Sequence, residues 1–83
     1  MPGSSITITG KQLISLLQKD GWIIRRRARH GLSLSKCVDG TNIVTIVPYS
    51  RAVLPAGTLS AILGDKQTGI GRNGLLDLIN KYK

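Results

Sequence analysis

Gly21-Trp22-Ile23-Ile24-Arg25-Arg26-Arg27-Ala28-Arg29-His30-Gly31-Leu32-Ser33-Leu34-Ser35-Lys36 is the stretch on which the fold turns. Gly21 suits the left-handed conformation that ends a helix. After it, residue types alternate in two short runs, the period of half-buried strands. Residues 22–26 are the first expected strand, with Trp22 and Ile24 on one face and Ile23 and Arg25 on the other. Residues 30–36 are the second, where Leu32 and Leu34 alternate with Ser33 and Ser35. A tight connection at residues 27–29 makes the pair an antiparallel hairpin.

Upstream, Leu13, Leu16 and Leu17 recur at helical spacing, so residues 11–20 form a helix with Thr9 as its N-cap. Downstream, Asp39-Gly40 is a hairpin turn signal. The β-branched run at residues 42–47 is a third strand, which Pro48 ends. Residues 49–54 form a loop carrying Arg51. Pro55 opens a second helix with Leu59, Ile62 and Leu63 on its apolar side, and Gly64 stops it. Residues 67–71 are a further loop, and Leu75, Leu78, Ile79 and Tyr82 mark a short final helix. The expected fold is an α+β two-layer sandwich of α-β-β-β-α order, similar to the double-stranded-RNA-binding fold, with a short C-terminal helix. Residues 10–83 make one domain, and residues 1–9 are expected to be a flexible tail.

With 83 residues the chain supports one modest core. Twelve Lys and Arg face four Asp and Glu, for a net charge of +8. Such an excess suits a polyanionic partner, and its plain alternative is a solvated basic surface. A single Cys excludes an internal disulfide. One Cys, one His and four acidic residues make a poor ligand set, so neither metal nor cofactor is expected. No apolar run approaches the roughly 18 residues of a membrane span. Met1-Pro2-Gly3-Ser4-Ser5 lacks the basic start and apolar stretch of a signal peptide, so a cytoplasmic protein with no membrane partner is expected.

His30 is the only histidine, and it ends the densest basic run. An imidazole can serve as general acid or base near neutral pH, and guanidinium groups suit phosphate. Metal-free cleavage of RNA needs a base for the 2′-hydroxyl, an acid for the leaving 5′-oxygen and cations for the phosphorane charge. By strand alternation His30 shares a face with Leu32 and Leu34, so the plain reading is a partly buried histidine. The same alternation projects Arg25, Arg27 and Arg29 together as phosphate ligands, with Arg26 opposite. A solvated strand edge is the alternative. Lys36 and Arg51 are secondary phosphate candidates. Trp22 is a core anchor, and Tyr49 is a candidate for base stacking. Gly69-Ile70-Gly71-Arg72-Asn73-Gly74 matches a dinucleotide-binding spacing, but no strand leads into it. A turn and a helix start explain its glycines.

Three segments together resemble one family. Gly10-Lys11-Gln12-Leu13-Ile14-Ser15-Leu16-Leu17-Gln18-Lys19-Asp20-Gly21-Trp22 is similar to its opening helix. Arg27-Ala28-Arg29-His30-Gly31 falls where its histidine belongs, and Leu54-Pro55-Ala56-Gly57-Thr58-Leu59-Ser60-Ala61-Ile62-Leu63 resembles its second helix. The family is the HicA-like (YcfA-like) mRNA interferase toxins. The resemblance implies a toxin that cleaves mRNA without a metal, neutralised by a HicB-type antitoxin, with His30 as the catalytic residue. Where many members have a small residue before the histidine, this chain has Arg29. A non-catalytic RNA-binding module, or a subunit docking its basic face on an acidic protein, are the alternatives.

Overall fold

The structure, a computed structural model, describes residues 6–82. Helix α1 (Gly10–Lys19) starts at a reciprocal cap. The Gln12 N–H donates to the Thr9 hydroxyl, and the Thr9 N–H donates back to the Gln12 side chain. The Lys11 N–H donates to the Ser50 carbonyl, so loop and side-chain acceptors occupy the helix's first donors.

Strands β1 (Ile23–Ala28), β2 (Gly31–Val38) and β3 (Thr41–Val47) form one antiparallel sheet in that order. Asp39 and Gly40 turn between β2 and β3 with φ of 51° and 80°. Two positive φ values match a two-residue turn to the twist of its flanking strands. Helices α2 (Ala56–Leu63) and α3 (Gly71–Lys81) follow. This is the expected α-β-β-β-α sandwich with one more helix.

One sheet face carries the core. Leu32, Leu34 and Val47 from the sheet meet Leu13, Ile14 and Leu17 of α1, Leu59, Ile62 and Leu63 of α2, and Leu75 and Leu78 of α3. Burying each such side chain contributes about 1.5–3 kcal/mol, which is what holds the two layers together. Trp22 is buried here as expected, although its indole N–H has no acceptor among the described residues. On the other face Ser33 lies between Arg26 and Ile46, and Ser35 between Ile23 and Val44. Both serines are buried beneath these taller, exposed neighbours. The Gln67 side chain reaches from the α2–α3 connection to β3, accepting from the Thr45 hydroxyl at 2.6 Å and the Ile46 N–H at 3.3 Å.

Four expectations need correction. His30 is not the first residue of a strand: Ala28 pairs with Gly31, so Arg29 and His30 form the turn. The sequence offers Gly31 one place only, because a β-carbon there would collide with the Val47 carbonyl. Secondly, Ile24 pairs with Leu34 but Arg26 pairs with Ser33, leaving Arg25 as an extra residue in a bulge. The alternation restarts after it. Arg27 therefore shares the helix-side face with Ile24, and Arg25, Arg27 and Arg29 do not project together. Thirdly, the final helix is longer than expected, beginning at Gly71 with Gly74 inside it. Lastly, the tail does not reach residue 9. Ile8 is buried, its carbonyl accepts from the Leu54 N–H, and Thr9 bridges to Val53. The expected tail at residues 1–5 lies outside the described residues.

Candidate functional site

The β1–β2 turn, the start of α1 and the loop after β3 converge at one end of the sheet. Two close approaches fix this. A β-carbon on Gly31 would strike Val47 and Pro48, and one on Gly10 would strike the Pro48 carbonyl. Only glycine admits backbone at those separations. Pro48 is thereby held between the hairpin turn and the first residue of α1, and Tyr49 follows it into the same corner.

His30 is exposed at the tip of this corner, not partly buried on the core face. Arg25, Arg26, Arg27 and Arg29 are exposed as well, Arg26 on the open face and Arg27 on the helix side. The arginines thus surround the hairpin rather than lining one side of it. Arg51 is exposed on the loop beyond Tyr49. Lys36 is not part of this group. It lies about 17 Å along β2 from Gly31, at about 3.3 Å per residue. There its ammonium is 3.2 Å from the Asp20 carboxylate.

Charge is consequently divided along the sheet. Asp20 and Asp39 both sit at the Lys36 end, whereas the hairpin end carries guanidinium groups. Among the described residues no group of His, Cys, Asp and Glu could hold a metal ion. Cys37 is a free, exposed thiol. No helix among those residues is long and apolar enough to cross a membrane.

Between α1 and β1 runs an open groove of about 500 Å³. Ile14, Ile24 and Leu32 give it an apolar floor, and Lys11, Ser15, Gln18, Arg27 and Tyr49 stand around it. The Lys11 ammonium lies 5.4 Å from the centre of the Tyr49 ring. The sequence points to Arg27 and Tyr49 but not to the groove. Its one sequence signal was the spacing of Lys11, Ser15 and Gln18, which puts three polar residues along one flank of the apolar stripe of α1.

The turn can present an imidazole and several guanidinium groups to an extended anion. The groove beside it can take a flat group with an attached negative charge. Compared with known proteins, the chain matches no family model, no curated protein and no solved structure.

Proposed function

We propose that this chain is an endoribonuclease that cleaves mRNA without a metal, and that it is the cytoplasmic toxin of a toxin–antitoxin pair. The observation that carries this reading is an exposed His30 at a hairpin tip among Arg25, Arg26, Arg27 and Arg29. The 2′-oxygen of a ribose attacks the adjacent phosphorus as the bond to the 5′-oxygen breaks. The proton leaving the 2′-hydroxyl is accounted for by the one gained at the 5′-oxygen. The imidazole of His30 accepts the first or donates the second, with water in the other role. Guanidinium groups offset the charge on the phosphorane oxygens. Products are a 2′,3′-cyclic phosphate and a 5′-hydroxyl.

A HicB-type antitoxin protein inhibits most simply by covering His30 and the arginines. A complex that leaves both open to solvent argues against this mode of inhibition.

Substituting His30→Ala in the purified protein is expected to slow RNA cleavage at least about 100-fold, the usual contribution of a general acid or base. Thermal unfolding is expected to stay unchanged, since the side chain is exposed. An Ala variant that cuts RNA as fast as the parent refutes the mechanism. One observation favours a second reading, a non-catalytic RNA-binding module: among the described residues nothing hydrogen-bonds the His30 ring to orient it. That reading predicts salt-sensitive RNA binding by the parent with no cleavage products.

A further inference from the structure

We propose that the groove between α1 and β1 is a subsite for one nucleotide of single-stranded RNA, its base on the Tyr49 ring and its phosphate on Lys11 and Arg27. This rests on the reading of the chain as an RNA-directed protein, and it names where the strand next to His30 lies. Four features carry it.

The first is position. Arg27 and Leu32, which both line the groove, are the second residue pair in from the His30 turn. A strand crossing the hairpin tip therefore has the groove one nucleotide away. The second is charge. Two cations and no carboxylate line the groove, so an anionic ligand gains attraction with no repulsion to offset it.

The third is the ring. Tyr49 is 53 % exposed, so its ring is accessible for a base to stack on. Lys11 lies over that ring, 5.4 Å from its centre, where its charge can serve both the ring and a phosphate beside it. The fourth is the mix of floor and rim. Ile14, Ile24 and Leu32 provide an apolar bed, while the side chains of Ser15 and Gln18, both exposed residues, carry no hydrogen bond among the described residues. A carboxamide offers a donor and an acceptor together, which is what the edge of a base requires. A simple inorganic anion would need neither ring nor apolar floor.

The test uses the full-length His30→Ala protein, labelled with nitrogen-15 and titrated with the trinucleotides UUU, CCC, AAA and GGG. The expected result is shifts centred on the amides of Lys11, Ser15, Gln18, Ile24, Arg27 and Tyr49 for at least one trinucleotide. Tyr49→Ala is expected to weaken that binding about tenfold, within the range of one base stack. Tyr49→Phe keeps the ring and is expected to retain affinity. Gln18→Ala is expected to flatten the preference among the four trinucleotides.

Shifts confined to the open-face residues Val44 and Ile46, or equal affinity for Tyr49→Ala and the parent, would overturn the subsite. Because the readout is binding to an inactive variant, it separates from the cleavage mechanism. Groove shifts with an uncut substrate for the parent sink the nuclease reading alone. Cleavage by the parent with silent groove amides sinks the subsite alone.

Discussion

Replacing Gly31 by Ala probes the contact on which the candidate site is built. The added β-carbon would collide with the Val47 carbonyl oxygen, and would lie 2.7 Å from the Val47 carbonyl carbon and 2.9 Å from Pro48 Cα. All three are backbone atoms, so no rotamer change relieves the clash. Overpacking of this kind costs about 1–3 kcal/mol. The φ of +152° is rarely adopted by L residues and adds roughly 1 kcal/mol. The sum, about 2–4 kcal/mol, is a large share of the 5–15 kcal/mol that holds a domain folded. For a domain of this size it lowers Tm by about 10–30 °C. Thermal unfolding followed by circular dichroism measures the loss. Two controls isolate its cause. At Gly40 φ is +80° but no atom lies within 4 Å of a β-carbon, so Ala there costs only about 1–2 kcal/mol of strain. Gly57 has open space inside α2, and Ala there stabilises by about 0.5–1 kcal/mol. If Gly31→Ala melts no lower than Gly40→Ala, the close approach of turn and loop is refuted, and with it the corner that gathers His30, Lys11 and Tyr49.

Two further outcomes are expected. Thr45 is a buried residue, 1 % exposed, and Gln67→Ala removes the acceptor of its hydroxyl, so the stranded donor costs about 1–3 kcal/mol in denaturant unfolding; an unchanged midpoint would refute that bond. Arg27→Gln lowers the slope of log affinity for single-stranded RNA against log salt by about 0.7, the share of one phosphate, whereas Lys36→Gln leaves it unchanged. Equal effects of the two substitutions would contradict the division of charge along the sheet.

Much of the architecture could be read from residue order because the helices and the β2–β3 hairpin obey local rules. Thr9, Asp39-Gly40 and Pro55 stand where caps and turns require them. The site was harder to read for a specific reason. Arg25-Arg26-Arg27 contains no apolar residue to betray a change of face, so the bulge that sends Arg27 to the helix side left no trace in the pattern. The alternation of Leu32 and Leu34 extends back to His30 and so assigns it to the strand, one residue too deep. What displaced it is non-local: Gly31 must sit against Val47 and Pro48, residues sixteen and seventeen positions later. The groove depends on the same long-range meeting, and no window of sequence contains all its walls.

The two margins of the sheet are unequal in how they receive another strand. At β3, Gln67 already occupies the outward Ile46 amide, and an incoming chain would first have to displace it. At the outer edge of β1 no other segment among the described residues is paired. Strand addition therefore meets less resistance at β1 than at β3, and two copies joined edge to edge at β1 leave only the Gln67-guarded margins for further growth. Abundant guanidinium charge on that rim opposes even this first step. Fibrous precipitation by edge pairing is thus opposed at both margins, at one by a side-chain amide and at the other by electrostatic repulsion.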